Sequence, residues 1–459
     1  MSMRQLAEVA HVTGGELHGA DRSFTRVSTD TRTLAAGELF VALSGASFDG
    51  HTFLATAEHR GAAGALVERP LAGSTLPQVV VTDTRRALGA WAAHWRGQFR
   101  IPVIGVTGSS GKTTLKEMLA RILRSQGPVL ATRGNLNNDV GVPLTLLELD
   151  AVYRAAVIEM GTNHPGEIAY LAQLAAPSIG VITNAGAAHL EFLGSIAGVA
   201  QEKGALFAAL GGDGVAVINH DDAHAGTWRA MTRATCRSFG FSEAADFHPA
   251  PGSLTHQHGV WRFRAVTPQG SADVQLSLPG RHNISNALAA LAAAGAAGVP
   301  LAQAAAALAE VPVTLGRLLA VAGINDCKLI DDSYNANPLS LRAAVDFAVS
   351  LGAPVWLILG DMGELGAEAS ALHAEAGEYA RRAGIAQLLT LGRLSRAASE
   401  RFDAAARHFE VLDDLLTVLR HEPPSGVTLL VKGSRSMKME RVVNALRANQ
   451  AVDRAVNGS

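Results

Sequence analysis

Short apolar runs, separated by longer segments of mixed polarity, divide the chain into three regions. The first region, residues 1–84, has apolar runs at 39–43, 65–67 and 78–81, with loops and short helical segments between them. Apolar runs of this length, bounded by turn residues, predict β-strands. We therefore predict a small α/β domain at the start of the chain.

The second region, residues 85–315, repeats this alternation in a longer form. Apolar runs that predict strands begin near Ile101 and recur at residues 156–160, 179–183 and 215–219. Because helical segments separate these runs, we predict a parallel sheet.

Two segments of the second region depart from this pattern. In residues 245–278 an alternation that includes Trp261, Phe263 and Val266 predicts a small antiparallel insertion. Residues 287–308 are mostly alanine and are broken by glycine and proline. They predict a buried pair of short helices and no membrane span, since alanine is too weakly apolar to hold a helix in lipid.

The third region, residues 316–459, alternates strand and helix again. The predicted strands are residues 329–330, 355–359, 388–391 and 428–431, and the helices between them include residues 339–350 and 367–383. This is the pattern of a second doubly wound α/β unit, whose ligands lie at the carboxyl ends of its strands. The sequence thus predicts an α/β protein with three domains, at residues 1–84, 85–315 and 316–459.

Composition excludes several classes of protein. At 459 residues, with 48% hydrophobic and 17% charged residues, the chain is an ordinary globular protein with an ample core. A net charge of −2 without a basic block disfavours nucleic-acid binding. The two cysteines, Cys236 and Cys327, match no metal spacing, and the first residues lack a signal pattern, so we expect a cytoplasmic protein. No sustained heptad pattern is present, which favours a monomer.

A glycine-rich turn in the second region has the form of a phosphate-binding loop. The apolar run 103–107 enters Gly108-Ser109-Ser110-Gly111-Lys112-Thr113-Thr114, and an amphipathic helical segment follows. In such loops backbone N–H groups surround phosphate oxygens, the lysine meets the β- and γ-phosphates, and the Thr113 hydroxyl would hold Mg²⁺. A strict Walker A loop has glycine where this chain has Val106, so a chance match stays open. We expect nucleoside triphosphate binding.

Polar side chains follow other predicted strands. Glu159 closes the run 156–160, where a carboxylate beside a phosphate loop can hold Mg²⁺ or can be a solvated strand-end charge. His189 follows the next strand and is either a structural histidine or a ligand. Lys203, on pattern alone, is a solvated lysine of a helix.

Three further polar clusters are candidates for binding. Asn283 and Asn286 lie on one face at the start of a helix, where their amides either cap the helix or bind the edge of a nucleobase. Residues 331–338 are a dense run of ligand-type side chains after a strand, either a plain turn or a site. Residues 432–436 offer two cations and hydroxyls to an anionic substrate.

These residues in this order resemble the Mur ligases, the ATP-dependent amide-forming enzymes of peptidoglycan precursor synthesis. The resemblance covers nearly the whole chain, and the family's phosphate loop explains Val106. Residues 134–143, 331–338, 360–366 and 432–436 look like the member that adds D-alanyl-D-alanine in particular. The resemblance implies a UDP-sugar-binding α/β domain, a central ATP-binding domain with a mainly parallel sheet, and a Rossmann-like C-terminal domain.

The resemblance also assigns roles to residues. Thr113 and Glu159 would hold the Mg²⁺ that bridges the β- and γ-phosphates, His189 would hold a second Mg²⁺, and Lys203 matches the family lysine that is carbamylated. The remaining assignments are ATP contacts from Asn283, Asn286, Arg317 and Asp332, UDP-sugar contacts from Ser28, Thr29, Asp30 and Arg32, and peptide-pocket contacts from Asn335, Asn337, Lys432, Ser434 and Arg435.

The implied reaction is phosphorylation of the terminal carboxylate of UDP-N-acetylmuramoyl-tripeptide by ATP. The amine of D-alanyl-D-alanine then attacks the acyl phosphate. One rival is the ligase that adds the third amino acid, whose Asp-Asn-Pro-Arg signature is absent here. Folylpolyglutamate synthase, a second rival, has no use for the N-terminal region. A catalytically silent nucleotide binder is the third, and it would need no second metal site.

Overall fold

The computed structural model describes residues 3–45, 48–257 and 259–448. Its first domain contains a sheet in the strand order β2-β9-β8-β5-β4, in which only β2 is antiparallel. The elements are β1 (Arg4–Gln5), α1 (Leu6–Thr13), β2 (Glu16–His18), β3 (Ser23–Phe24), β4 (Val27–Ser28), β5 (Leu39–Val41), β6 (Ser44–Gly45), β7 (Phe48–Asp49), α2 (Leu54–His59), β8 (Gly64–Val67), β9 (Gln78–Val80) and α3 (Thr84–Gly97). The predicted strands correspond to β5, β8 and β9.

The central domain contains an all-parallel sheet in the order β11-β12-β10-β13-β14-β15. Its elements are β10 (Val103–Thr107), α4 (Lys112–Leu123), β11 (Val129–Ala131), α5 (Gly141–Leu146), β12 (Ala155–Glu159), α6 (Glu167–Ala175), β13 (Ile179–Ile182), α7 (Leu190–Leu193), α8 (Ile196–Ala208), β14 (Val215–Asn219), α9 (Ala225–Ala230) and β15 (Thr235–Phe239). The predicted parallel sheet is confirmed, and β11 and β15 were not predicted. Strand β10 lies in the middle of the sheet because its run of apolar residues is buried on both faces.

The two exceptional segments of the second region fold as predicted. An antiparallel sheet forms from β16 (His248–Pro249), β17 (Thr255–Gln257), β18 (Val260–Thr267) and β19 (Gly270–Leu276). The alanine-rich stretch forms α10 (His282–Ala296) and α11 (Leu301–Leu308), of which α10 is longer than predicted. Six of the eleven buried positions of α10 are alanine, and the helix packs against α4. No helix in the described ranges is long and apolar enough to cross a membrane.

The C-terminal domain is the predicted doubly wound unit, with the strand order β20-β21-β25-β22-β23-β24. Only β20, at one edge, is antiparallel. The elements are β20 (Leu319–Ala322), β21 (Lys328–Asp332), α12 (Pro338–Val349), β22 (Val355–Gly360), α13 (Ala369–Ala383), β23 (Gln387–Leu391), α14 (Arg396–Phe402), β24 (Ala406–Phe409), α15 (Leu412–His421), β25 (Thr428–Lys432) and α16 (Glu440–Leu446). Strands β20 and β24 were not predicted.

The hydrophobic cores show which domains are packed together. One cluster of buried side chains runs from Leu6 of α1 and Trp91 of α3 to Leu146 and Leu171 of the central domain. The C-terminal domain has separate cores, on either side of its sheet. The first two domains therefore share one core, whereas the C-terminal domain is built around cores of its own. The limits at 84/85 and 315/316 remain predictions, and the first of them falls at the start of α3, which packs against α1 of the first domain and against α5 and α6 of the central domain.

Candidate active site

The phosphate-binding loop lies between β10 and α4. Gly108 has φ 151° and Gly111 has φ 85°, which favour glycine. A Cβ at Gly108 would also collide with the Thr183 hydroxyl. The first N–H groups of α4 have no partner within the helix, so this end favours an anion. Lys112 Nζ donates to the Gly108 carbonyl at 2.8 Å and thereby spans the loop.

The end of strand β13 holds the loop in place. Thr183 Oγ1 donates to the Ser110 carbonyl at 2.6 Å, and Asn184 Oδ1 accepts from the Ser110 N–H at 3.0 Å. The Asn184 carbonyl accepts from the Ser109 N–H at 3.0 Å. Thr183 and Asn184 were not among the predicted site residues. Like Glu159, they are polar residues at the end of a buried strand, and this is the pattern that could have identified them.

Glu159 is buried, with 2% of its surface exposed, at the end of β12. The β10–β12 register pairs it with Val106, one residue before the end of β10, so its carboxylate lies beside the phosphate loop. Oε1 accepts from Asn137 Nδ2 at 2.9 Å, whereas Oε2 is buried and has no hydrogen-bond partner in the described part of the chain. An oxygen in this state fits a Mg²⁺ ligand, because a buried unsatisfied carboxylate oxygen is otherwise unfavourable.

The protein supplies only part of a metal site. Among the described residues, no group of three or more His, Cys, Asp or Glu side chains is close enough to hold a metal ion. Mg²⁺ in nucleotide-dependent enzymes is typically held by one or two carboxylates together with phosphate oxygens and water. Glu159 and the nearby Thr113 hydroxyl fit such a site when a nucleotide is bound.

Lys203, predicted on pattern to be solvated, is instead buried in α8 with 1% exposure. Neither a hydrogen bond nor an ion pair to its Nζ is present in residues 3–45, 48–257 and 259–448. Burial, and secondarily the charge of Lys112, holds the pKa of the Lys203 amine well below its usual value. Burial also lowers the pKa of Lys112, against the opposing effect of Glu159. The two lysines are therefore close enough to interact.

His189 immediately precedes α7 and has φ 58°, in the left-handed region. Its Nδ1 lies 2.5 Å from Oε2 of Glu364, a residue of the C-terminal domain. This hydrogen bond is the main cause that lowers the pKa of Glu364. Glu364 was not among the predicted site residues, although it belongs to the motif 360–366.

Asn283 and Asn286 are buried in the first turns of α10. Asn286 Nδ2 donates to Asn283 Oδ1 at 2.8 Å, and Asn283 Nδ2 donates to the Pro279 carbonyl at 2.7 Å. Neither side chain caps the helix, whose N-cap is Arg281. A Cβ at Gly111 would lie 2.8 Å from Asn286 Oδ1, so the pair contacts the phosphate loop.

The C-terminal domain contributes a buried ion pair. The parallel register places Asp332 of β21 beside Lys432 of β25, and Lys432 Nζ lies 2.5 Å from Asp332 Oδ2. Lys432 also donates to the Asn335 carbonyl at 2.9 Å. Burial raises the pKa of Asp332, with the opposing effect of Lys432 as the next cause. Asp332 Oδ1 accepts from the Leu318 N–H at 3.2 Å.

Two residues of the C-terminal domain contact the phosphate loop directly. Arg317 Nη2 donates to Thr113 Oγ1 at 3.2 Å, and its guanidinium lies over the Tyr334 ring. Asn337 Nδ2 donates to the Ser109 carbonyl at 3.2 Å, while its Oδ1 caps α12 by accepting from the Ser340 N–H at 2.8 Å. The C-terminal domain is thus closed on the central domain.

The remaining predicted residues of this domain hold its loops. Ser434 Oγ accepts from the Gly363 N–H at 2.7 Å. Asn335 Oδ1 accepts from the Arg435 N–H at 3.3 Å.

A cavity of about 660 Å³ lies between the two domains. Of the predicted residues it is lined by Ser109, Ser110, Gly111, Lys112, Thr114, Glu159, His189, Asn283, Asn286, Arg317, Asp332, Asn335, Asn337, Lys432 and Arg435. Gly108, Thr113, Lys203 and Ser434 lie outside this lining. The structure thus brings most of the ATP, metal and peptide candidates together in one cavity.

The N-terminal candidates lie elsewhere. Ser28, Thr29 and Asp30 line a second cavity of about 570 Å³, which also contacts the central domain. Arg32 does not line this cavity but pairs with Asp30 at 2.7 Å, and their hydrogen bond is the main cause that lowers the pKa of Asp30 to about 2.

Family models match the chain in three consecutive parts. The model "Mur ligase family, catalytic domain" matches residues 23–96, "Mur ligase middle domain" matches 106–294, and "Mur ligase, glutamate ligase domain" matches 316–435. These matches follow the order of the three domains.

Full-length relatives give the same result. The UDP-N-acetylmuramoyl-tripeptide–D-alanyl-D-alanine ligase of Escherichia coli (strain K12) is 45% identical over 448 residues, which cover 97% of this chain and 98% of the relative. The crystal structure of MurF from Acinetobacter baumannii is similar with a TM-score of 0.90 at 34% identity, covering 97% and 98% of the two chains. MurF ligase from Thermotoga maritima, in complex with ADP, has a TM-score of 0.82 at 26% identity, covering 92% and 96%.

Proposed function

The chain belongs to the Mur ligase family, and we propose that it joins D-alanyl-D-alanine to UDP-N-acetylmuramoyl-tripeptide at the expense of ATP. The product is the UDP-N-acetylmuramoyl-pentapeptide of peptidoglycan synthesis. The observation that carries this proposal is the cavity between the central and C-terminal domains. It combines a phosphate loop, the unsatisfied oxygen of Glu159, and cations from both domains.

The first step transfers a phosphoryl group. A carboxylate oxygen of the tripeptide attacks the γ-phosphorus of ATP, the bond to the β-phosphate oxygen breaks, and ADP leaves. Both reactants are anions, so the barrier falls only where positive charge is fixed beside them. Lys112 and the first N–H groups of α4 provide that charge from the central domain. Arg317, at 3.2 Å from Thr113, provides it from the C-terminal domain.

Mg²⁺ bound to the phosphates would neutralise further charge and align the reacting groups. Thr113 and Glu159 would hold one ion, and His189 would serve a second. The fit is supported by the buried, unpartnered Oε2 of Glu159.

We propose that Lys203 is carbamylated. Carbon dioxide reacts with a neutral amine, and burial favours the neutral form of Lys203 by lowering its pKa. The N–C bond would form as the nitrogen loses a proton to solvent, and the neutral amine would become an anionic carbamate whose oxygens can face a cation. Lys112 is a cation close enough to Lys203 to contribute to its lowered pKa.

The second step forms the amide. The amine of D-alanyl-D-alanine attacks the carbonyl carbon of the acyl phosphate, phosphate leaves, and the nitrogen loses a proton. Water competes for the acyl phosphate, so closure of the C-terminal domain protects it.

We place the dipeptide near Asn335, Asn337, Ser434 and Arg435, beside the buried Lys432. The UDP group lies near Ser28, Thr29, Asp30 and Arg32 of the N-terminal domain. We further propose a monomer that acts in the cytoplasm, where ATP and UDP-linked precursors are available.

Phosphate release tests this function. The enzyme is given ATP, Mg²⁺ and UDP-N-acetylmuramoyl-tripeptide, together with D-alanyl-D-alanine, diaminopimelate, lysine or glutamate. We expect release that depends on both the tripeptide and D-alanyl-D-alanine, with the pentapeptide as product by mass spectrometry. Release with a different amine only would assign the chain to another reaction of the family. Absence of release with every pair would contradict the ligase function.

A further inference from the structure

We propose that Glu364 of the C-terminal domain is a positioning residue for His189, so that the second metal site is completed only when this domain closes. The inference rests on the proposed function, because it takes His189 as a metal ligand. Glu364 itself would not touch the metal or the substrate.

The hydrogen bond between the two side chains fixes the state of the imidazole. His189 Nδ1 and Glu364 Oε2 are 2.5 Å apart, although 175 positions separate the residues in the chain. An ionised carboxylate can only accept, so Nδ1 carries a proton, and in the neutral imidazole the lone pair is then on Nε2. This tautomer is the one that a metal requires, and a carboxylate on the second nitrogen commonly orients metal-binding histidines.

The backbone at this contact is strained on both sides. His189 has φ 58° and Glu364 has φ 61°, and neither is glycine. Such conformations are unfavourable for residues other than glycine and cluster at functional sites. The Glu191 N–H donates to the Glu364 carbonyl at 3.1 Å, so the backbone of the two segments is also joined.

Close packing beside the hydrogen bond fixes the approach of the two segments. Gly366 faces Glu191 so closely that a Cβ at position 366 would lie 3.0 Å from the Glu191 Cα. The 364–366 segment therefore docks on residues 189–191 in one geometry.

Glu364 moves with the C-terminal domain because its neighbours are anchored there. His373 Nε2 of α13 accepts from the Met362 N–H at 2.9 Å, and Ser434 Oγ accepts from the Gly363 N–H at 2.7 Å. His189 belongs to the central domain, whose core is separate from those of the C-terminal domain. Opening the domains therefore breaks the His189–Glu364 contact and releases the imidazole.

Stability alone does not explain the pair. The side chain of Glu364 is 44% exposed and that of His189 is 17% exposed. A contact between side chains at such exposure contributes little to folding, even where both groups are charged. The His189 imidazole lines the active-site cavity, and its hydrogen bond to Glu364 is sufficient to orient it.

The test measures metal binding separately from turnover. Binding of Mn²⁺ is followed by electron paramagnetic resonance with UDP-N-acetylmuramoyl-tripeptide and adenosine 5′-(β,γ-methylene)triphosphate present. The proteins are wild type, Glu364→Ala, Glu364→Gln, His189→Ala and the double variant with alanine at both positions. Glu368→Gln is the matched control, since it removes one negative charge from an exposed position of the same loop.

We expect Glu364→Ala to weaken the second Mn²⁺ by about 10- to 100-fold and to lower kcat by a similar factor. Glu364→Gln, which keeps an acceptor oxygen, should recover part of both, and Glu368→Gln should match wild type. In the His189→Ala background Glu364→Ala should change neither quantity further, because the two residues act as one unit.

Two results would overturn the inference while leaving the proposed function intact. They are an unchanged Mn²⁺ affinity in Glu364→Ala when His189→Ala weakens it, and equal effects of Glu364→Ala in both backgrounds. If His189→Ala itself leaves Mn²⁺ affinity unchanged, the metal role proposed for His189 fails, and the inference fails with it.

Discussion

The carboxyl ends of the two parallel sheets carry similar charged side chains but satisfy them differently. In the central domain, Glu159 at the end of β12 keeps a buried oxygen without a partner in the described part of the chain, and burial in α8 holds the pKa of the Lys203 amine well below its usual value. In the C-terminal domain, Asp332 and Lys432 satisfy each other at 2.5 Å, and Lys432 also binds the Asn335 carbonyl. The central sheet edge is therefore completed by ligands, whereas the C-terminal edge is complete in itself.

This difference indicates that the two domains make different contributions to the site. Unsatisfied groups are unfavourable in the free protein and become favourable when substrate and metal arrive. Groups that satisfy each other form a rigid surface that needs no rearrangement when the domain closes. Each substitution below tests one side of this contrast.

The largest effect is expected on the central side, for Lys112→Ala. Removing the ammonium leaves the transferring phosphoryl group without its main cation, so kcat should fall by about 10⁴-fold, or roughly 5.4 kcal/mol. Thermal stability should not fall, because the only hydrogen bond of the Lys112 ammonium is to the Gly108 carbonyl of its own loop in the described structure. Steady-state phosphate release and thermal unfolding check the two statements.

Arg124→Ala is the control for Lys112→Ala. Arg124 is exposed just after the same helix, and its removal changes the net charge equally. It should turn over at the wild-type rate. A Lys112→Ala rate within about tenfold of wild type would refute the role of the loop.

On the C-terminal side the main effect should be on stability. Lys432→Met leaves Asp332 buried without its partner, and breaking one half of a buried pair typically destabilises by about 3–5 kcal/mol. We expect about 3 kcal/mol in the free energy of unfolding by urea, since the Asp332 carboxyl can take up a proton. The double variant Asp332→Asn, Lys432→Met should recover part of this loss.

Arg435→Ala is the matched control for Lys432→Met. It removes an exposed cation from the same loop, whose ion pair with Glu440 lies at the surface. The change in unfolding free energy should stay below about 1 kcal/mol. A Lys432→Met protein as stable as this control would show that the C-terminal edge is not self-sufficient.

The contrast also explains what the sequence could predict. Buried strands such as β10, β14 and β22 are continuous apolar runs and were predicted. Strands β15 and β24 lie at sheet edges and mix polar with apolar residues, as in Thr235–Phe239 and Ala406–Phe409. These two segments are strands because each pairs with a neighbouring strand, and that pairing cannot be predicted from the local sequence pattern.

Site residues follow the same division. Residues next to a predicted strand end, such as Glu159 and Asp332, could be located because parallel strands end at one edge. The burial of Lys203 could not be predicted, because the residue pattern of its helix is that of an ordinary helix. Only packing against the rest of the protein removes the amine from water. Glu364 was missed for a similar reason, since its contact with His189 exists only between domains.

An effect of the opposite sign is expected for Lys203→Met. The amine is buried without a partner in the described structure, and burial disfavours its charged form. Met is similar in length and apolar, so the unfolding free energy at pH 7 should rise by about 1 kcal/mol while ligase activity is lost. The measurement uses buffer freed of carbon dioxide, so that the wild-type lysine is unmodified.

A matched control for Lys203→Met lies in helix α4 of the same domain. Lys116 is equally buried, but its Nζ donates to the Thr132 carbonyl at 2.7 Å and lies 2.7 Å from Glu117. Lys116→Met should therefore lower stability. If both variants lose stability, the buried Lys203 amine is not destabilising in the free protein, and the contrast between the two domains fails at this residue.

The smallest effect is expected for substitution of Asn337, which joins the C-terminal domain to the phosphate loop of the central domain. Its Oδ1 caps α12, and its Nδ2 donates to the Ser109 carbonyl of the phosphate loop. Asn337→Ala should lose both functions, with about 1 kcal/mol from the cap. Asn337→Ser keeps a capping oxygen but not the amide donor, so it should retain stability and lose only the contact between domains. We expect a KM for ATP about 3- to 10-fold higher in both variants, since a hydrogen bond contributes roughly 0.5–1.5 kcal/mol.

Ser195→Ala provides the comparison for the cap alone. Ser195 caps α8 by accepting from the Gly198 N–H at 3.0 Å and lies away from the phosphate loop. It should lose about as much stability as Asn337→Ala and keep the wild-type KM for ATP. If Asn337→Ser behaves like wild type in both measurements, the amide contact does not contribute to closure. The described contacts left to hold the two domains together would then include Arg317 with Thr113 and residues 364–366 with residues 189–191.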